Sequence, residues 1–286
     1  MLSPKNEAIP NSIGITNHRL IIGDCLQVLR DSKFVTKGSV RLAITSPPYG
    51  LKKDYGGMYL DKFNLERWLE MIGSVAEALY DVITPDGSFF LNVSPIPDPR
   101  TTEIVPLDSY AFIEVRKYGF FLRNKIVWHF NNMQNPIRRL SGRWEAVLWF
   151  VKDLEHYVFN LDAIRIPYIT KHDKRLTGSG RNPTDVWYFD RINNMTKRKL
   201  GINFPAVFPD AMIERIVKMS SKEGDIILDP FVGSGTTMKV AKALKRNSIG
   251  IEINPKYVDL IKRRIEPEKW TLGSDVNFQV THYKKG

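Results

Sequence analysis

The feature that most constrains this chain is an alternation of two hydrophobic periods. Short apolar runs occur at 40–44 (VRLAI), 88–93 (SFFLNV), 224–230 (GDIILDP) and 247–254 (NSIGIEIN). They are too short for buried helices and too evenly apolar for strands with one wet face, so they predict strands covered on both sides. Between them lie stretches with helical spacing: 63–82 (FNLERWLEMIGSVAEALYDV), 109–120, 209–221 (PDAMIERIVKMSS) and 255–265 (PKYVDLIKRRI). A strand, a Gly-Asp turn and an amphipathic helix are also expected over 18–31, a turn at TPDG (84–87), and strands over 121–130 and 143–153. Strands alternating with helices predict an α/β fold, with a mostly parallel central sheet flanked by helices. After Glu266 the chain looks peripheral and is assigned no role.

Two breaks in this pattern carry chemistry. The run VRLAI ends in TSPPYG (45–50). Adjacent prolines cannot extend a ladder, because each lacks an N–H and has φ near −65°. A hydroxyl, two rigid carbonyls and an aromatic ring are thereby held at a strand tip. The second break, DPFVGSGTT (229–237), puts Gly233 and Gly235 between a strand and a helix, the turn that lets backbone and helix N–H groups approach a ligand. A dinucleotide fingerprint would want a third glycine where Met238 stands, and the Lys-Ser/Thr ending of a P-loop is missing. Glu252 ends the next strand, where a carboxylate can accept from both hydroxyls of a ribose. Asp229, at the first strand's tip, could orient an ammonium. A ligand with a ribose and an ammonium but no diphosphate is S-adenosylmethionine.

The texture changes over 154–202. Residues 168–201 are basic, dotted with glycine and weakly periodic, yet include Trp187, Tyr188 and Phe189. Such a segment is either a solvated insertion or a nucleic-acid contact lobe, with cations on phosphates and aromatics or amides on bases. Net charge is +11 over 286 residues, which favours polyanionic partners without identifying them. The one cysteine, Cys25, excludes an intramolecular disulfide, and the five histidines lack ligand spacing, so no metal site is expected. The first twenty residues hold no long apolar run, so neither a signal peptide nor a membrane span is expected.

Together, TSPPYG, DPFVGSGTT and GIEIN resemble the amino-methylating DNA methyltransferases, which modify cytosine N4 or adenine N6. The catalytic tetrapeptide precedes the cofactor turn, as in the beta class of that family. The resemblance covers most of residues 18–265. It implies a Rossmann-like methyltransferase fold in which 1–153 is the catalytic half, 154–202 a target-recognition insertion, and 203–286 the cofactor half. FPAVFPDAMIERIV (204–217) resembles the family segment before the glycine turn, with Phe204 where His is usual. RWEAVLWFVK (143–152) resembles a segment usually written His-Glu, with Trp144 in place of His.

Carried onto this chain, the resemblance makes Ser46, Pro47, Pro48 and Tyr49 catalytic. It assigns Asp24, Thr45, Asp229, Pro230, Phe231, Gly233, Gly235, Thr236 and Glu252 to S-adenosyl-L-methionine. In the expected reaction, Ser46 Oγ and the Pro47 carbonyl accept the hydrogens of an exocyclic amino group while Tyr49 stacks on a flipped base. Serine at position 46 resembles the cytosine-N4 branch; adenine-N6 or RNA substrates, and an inert DNA-binding homologue, remain alternatives. A nicotinamide oxidoreductase is disfavoured by the missing glycine. Lys171, Lys174, Arg175, Arg181, Lys197, Arg198 and Lys199 are the candidate DNA-phosphate contacts. Double-stranded DNA is the implied partner in a bacterial or archaeal cytoplasm; a homodimer and a companion restriction endonuclease are left open.

Overall fold

The computed structural model describes residues 15–49, 51–54, 60–62, 64–131, 136–168, 180–266 and 276–284. Strands β1 (Thr16–Ile22), β2 (Val40–Thr45), β3 (Ile83–Val93), β4 (Phe121–His129), β5 (Trp144–Val151), β6 (Val186–Tyr188), β7 (Ile226–Asp229), β8 (Asn247–Glu252) and β9 (Val276–His282) form one nine-stranded sheet. Its order is β6-β4-β5-β3-β2-β7-β8-β1-β9. Every pairing is parallel except the two made by β5, which runs against its neighbours. Strands from both sides of the 154–202 insertion thus share a single sheet.

Helices α1 (Cys25–Arg30), α2 (Leu65–Val82) and α3 (Leu107–Arg116) cover one face; α5 (Asp210–Ser220), α6 (Thr236–Ala243) and α7 (Val258–Ile265) cover the other, and the short α4 (Asn194–Lys199) lies in the insertion. Side-chain alternation along β2 explains the layering. Ala43 packs with Val75, Ala76 and Leu79 of α2, whereas Leu42 and Ile44 pack with Ile213 and Ile216 of α5. Helix α2 begins where Asn64 accepts a 3.0 Å bond from the Arg67 N–H, the N-cap that an Asn before a leucine-rich run supplies.

The chain passes from β2 outward to β3, and from β7 in the opposite direction to β8, so the crossovers diverge at the β2–β7 seam. In open α/β sheets a ligand crevice forms at the carboxyl ends of strands at such a switch point. Here the seam is stitched by Thr45 Oγ1, which donates to Asp229 Oδ1 at 2.8 Å.

Three expectations are corrected. TPDG (84–87) lies inside β3, where a register slip pairs Val40 with Ile83 and Leu42 with Ser88 and absorbs the extra residues as a bulge. The tail after Glu266 forms the edge of the sheet, where β9 pairs in parallel with β1 along its whole length and Tyr283 packs beside Phe34. Trp187 is not offered to a ligand; it is 3 % exposed, sits in the α5-side core, and carries the Arg215 guanidinium 5.1 Å from its ring. Phe189 packs against the same core, so of the three insertion aromatics Tyr188 alone is strongly exposed.

Candidate active site

A cavity of about 950 Å³ opens at the carboxyl edge of the sheet. That is the upper end of the ~300–1,000 Å³ usual for small-molecule sites, room for two ligands side by side. Its walls come from the tips of β1, β2, β3, β4, β7 and β8, together with the start of β5 and residues 191–197 and 204–208.

On one side stands the carboxylate pair. Asp229 is buried; Oδ1 accepts from Thr45 Oγ1 (2.8 Å) and the Phe231 N–H (3.1 Å), and Oδ2 from Thr237 Oγ1 (2.7 Å). Glu252 accepts from the Gly233 N–H (3.0 Å) on one oxygen and the Asn254 N–H (2.9 Å) on the other. Burial pushes Asp229 up to about 6 and Glu252 up to about 7, against the pull of these bonds. The donors on Glu252 are neutral backbone N–H groups and its carboxylate borders the cavity, so it can still accept from ligand hydroxyls. Gly233 takes φ +52° and Gly235 φ +80°, both in the left-handed region. A Cβ on Gly233 would sit 2.6 Å from the Phe204 ring, so the turn must be bare for that ring to close over it.

Asp24, Pro230, Phe231, Gly233 and Thr236 line the cavity with Asp229 and Glu252. Asp24 also caps α1, accepting from the Gln27 N–H at 3.0 Å. Gly235 is not in the wall: it is the N-cap of α6, facing Ile261. Thr45 is buried behind the wall and acts on Asp229.

The opposite side is a side-chain network. Ser46 Oγ and Tyr49 Oη lie 2.7 Å apart, and Tyr49 Oη donates to the Asn92 carbonyl at 2.9 Å. Asn92 Nδ2 donates to Tyr49 Oη and to Glu145 Oε2, both at 2.7 Å. Arg191, from the insertion, pairs with Glu145 Oε1 and lays its guanidinium 3.8 Å from the Phe130 ring centroid. One proton arrangement satisfies the set: Asn92 donates twice, Tyr49 donates to the carbonyl, and Ser46 donates to Tyr49. Ser46 Oγ then keeps its acceptor capacity for a ligand. Asn92 Oδ1 is buried with no hydrogen-bond partner among the described residues, a second acceptor beside the cavity.

Tyr49 is not the exposed aromatic that its place after two prolines suggests; it is 8 % exposed, in the α2-side core. Pro48 is fixed because its carbonyl accepts from Trp68 Nε1 at 2.9 Å. Asn92, Glu145 and Arg191 carry no recognisable motif of their own, although Glu145 lies in the noted RWEAVLWFVK segment. Their signal, a polar residue ending or starting a strand otherwise apolar, is visible only once the strands are aligned.

Among the candidate phosphate contacts, Lys197 faces the cavity and donates to the Pro205 carbonyl at 2.8 Å. Arg181, Arg198 and Lys199 are exposed. Lys171, Lys174 and Arg175 lie outside the described residues. Among the described residues, no group of three His, Cys, Asp or Glu is placed to hold a metal, and no helix is long and apolar enough to cross a membrane.

A switch-point cavity with a ribose-type carboxylate on one wall and a Ser-Pro-Pro-Tyr tip on the other defines a nucleoside-cofactor enzyme of the methyltransferase class. The chain belongs to the DNA methylase family of N4/N6 amino-methyltransferases, whose sequence profile it matches over residues 40–263. It is 33 % identical over 258 residues to the Type II methyltransferase M.ScaI of Streptomyces caespitosus, covering 87 % of this chain and 82 % of that one. It is 31 % identical over 268 residues to the DNA adenine methyltransferase YhdJ of Escherichia coli K12, with 90 % and 85 % covered. The fold superposes on a DNA modification methylase of Thermus thermophilus, complexed with S-adenosyl-L-methionine, at a TM-score of 0.64 and 26 % identity, covering 94 % of this chain and all of that one. The protein is a DNA amino-methyltransferase, and its cofactor is S-adenosyl-L-methionine.

Proposed function

We propose that this enzyme methylates the N4 amino group of a cytosine extruded from a specific site in double-stranded DNA. The Ser46–Tyr49–Asn92–Glu145 network, in which Ser46 Oγ faces the cavity as an acceptor, supports amino-group methylation, and serine rather than aspartate at position 46 is what favours cytosine. An exocyclic amino nitrogen is a poor nucleophile because its lone pair is delocalised into the ring. Accepting its hydrogens, at Ser46 Oγ and the Pro47 carbonyl, draws the nitrogen toward tetrahedral geometry and frees that pair. Trp68 holds the Pro48 carbonyl, so the palm is rigid before substrate arrives, and its acceptors need no reorganisation. Tyr49, in the cavity wall but largely buried, meets the base with its edge and fixes Ser46 through its hydroxyl.

On the other wall Glu252 holds the ribose and Asp24 lies toward the adenine, while Phe231 and the Gly233 turn bound the cofactor. Asp229, three of whose acceptor positions are filled internally, keeps one for the ammonium and otherwise positions Thr45 and the turn. The bound cofactor supplies an electrophilic methyl group. The excess proton of the methylated nitrogen passes to water, because Ser46 Oγ, a neutral hydroxyl, is too weak a base to hold it.

In this reading residues 1–153 and 203–286 are the catalytic and cofactor halves, and 154–202 recognises the target, with Arg181, Lys197, Arg198 and Lys199 toward phosphates. The similarity to a Type II methyltransferase supports a role in restriction-modification beside a companion endonuclease, in a prokaryotic cytoplasm. A second reading is adenine N6, favoured by the similarity to an adenine methyltransferase; the palm chemistry is the same for both. The test is to incubate the protein with unmethylated DNA and cofactor, digest to nucleosides and identify the product by mass spectrometry. N4-methylcytosine is expected; N6-methyladenine would establish the second reading.

A further inference from the structure

Between β4 and β5 the chain leaves the sheet at His129 and returns at its cross-strand partner Trp144, and the loop is pinched by the Phe130 N–H donating to the Arg143 carbonyl at 3.0 Å. Both feet of this loop stand in the cavity wall, Asn131 on one side and Glu145 on the other. Its described outer part, residues 136–143, reads PIRRLSGR. Ile137 is 100 % exposed and Leu140 is 93 % exposed, and Arg138, Arg139 and Arg143 are exposed among them.

Two branched aliphatic side chains held entirely in water, beside three cations, have no use in a solvated connection. A contact with a second copy of this chain would bring like charges together. A polyanion with an apolar interior accommodates both kinds of side chain: phosphates take the arginines, and a base stack takes the aliphatics. The position matters equally, because the loop rises from the rim of the pocket into which a base must be drawn.

We propose that residues 136–143 form a wedge: Ile137 and Leu140 enter the stack of duplex DNA next to the target and occupy the gap its extrusion leaves, while Arg138, Arg139 and Arg143 hold the flanking phosphates. Extruding a base sacrifices its stacking and pairing, and an inserted apolar side chain restores contact to the neighbouring bases. The proposal rests on the reading of this enzyme as one that acts on an extruded base. It assigns the extrusion step to a loop outside both the Ser46–Tyr49 tip and the 154–202 insertion.

The experiment uses the full chain and two duplexes bearing the methylated site, identified first by mapping wild-type product. One duplex is fully paired; in the other the target base faces an abasic position, so extrusion is already eased. Single-turnover methyl transfer is measured for wild type and for Ile137→Ala/Leu140→Ala, substitutions at exposed positions outside the described core. On the paired duplex the variant is expected to lose about tenfold or more, the scale of an unstacking penalty no longer offset. On the abasic duplex it should stay within about twofold of wild type, and Ile137→Leu/Leu140→Met should transfer normally on both. Equal loss on both duplexes, or no loss on either, overturns the wedge. If the mapping step finds no methylated base in DNA treated with wild-type protein, the underlying reading falls, and the wedge with it.

Discussion

The two walls of the cavity are built on opposite plans. On the cofactor wall, Glu252 and Asp229 are held by backbone N–H groups and by threonine hydroxyls on adjoining elements. Each tie is short in sequence or crosses one strand seam. On the target wall, Ser46, Tyr49, Asn92, Glu145 and Arg191 come from well-separated places in the chain and are joined through side chains. The outermost member, Arg191, has its side chain 42 % exposed. A cofactor is the same molecule at every turnover, so backbone geometry can hold it. A target base arrives only when DNA is engaged, and a side-chain network ending on the 154–202 segment can respond to that event.

Ser46→Ala should separate the two walls most strongly. Methyl transfer is expected to fall by about 100- to 1,000-fold, the scale of losing one preorganised acceptor or donor at a reacting group. Cofactor affinity, measured by calorimetry, should stay within about twofold. Matching losses in both would mean that the walls are not separable. Glu252→Ala inverts the pattern: cofactor affinity is expected to drop by about 10- to 100-fold, as for lost hydrogen bonds to a charged acceptor, with DNA affinity unchanged.

The cofactor wall should also have its own pH response. The folded protein holds protons on Glu252 and Asp229 up to about 7 and about 6, above their values of 4.5 and 3.8 in an unfolded chain. The folded state therefore binds more protons than the unfolded one between those limits, and apo stability is expected to fall as pH rises through about 4 to 7. The cofactor carries positive charge at its sulfonium and favours the ionised carboxylates. Its binding should release protons and tighten as pH rises from about 6 to 8. Titrations at several pH values check this; Glu252→Gln should remove the upper part of the rise. A flat profile in wild type would deny these carboxylates a role in holding the cofactor.

Arg191→Ala should give the smallest effect of the set, about a tenfold loss in kcat, because an ion pair this exposed is partly replaced by water. Arg191→Lys is expected to recover part of the loss, with cofactor affinity unchanged in both. If KM for DNA moves and kcat does not, Arg191 is a DNA contact only and does not tune the Ser46 network.

Much of this architecture is legible before any coordinates. The runs at 40–44 and 247–254 are apolar on both faces because helices cover both, and DPFVGSGTT needs its two glycines because their φ values are positive. What misleads is any residue whose surroundings are remote. Trp187 sits in a polar, basic segment and looks like a surface aromatic, yet β6 pairs with β4 and carries it into the core beneath Arg215. Tyr49 follows two prolines and looks exposed, yet its hydroxyl is drawn to Asn92, 43 residues away. Strand β9 shows the alternation of a strand at Val276, Phe278 and Val280, but its partner β1 lies at the other end of the chain, so its place in the sheet has no local cue.

By itself the sequence determined the alternating α/β plan, the rigid strand tip at 45–49, the glycine turn and the acidic residue that follows it, because each depends on backbone rules within a few residues. Only the tertiary structure decided that β2 and β7 lie side by side, that Asn92, Glu145 and Arg191 converge on Ser46, and that Ile137 and Leu140 stand in water at the rim. Those are consequences of strand order and loop placement, and strand order is set by which apolar faces bury best together across the whole chain.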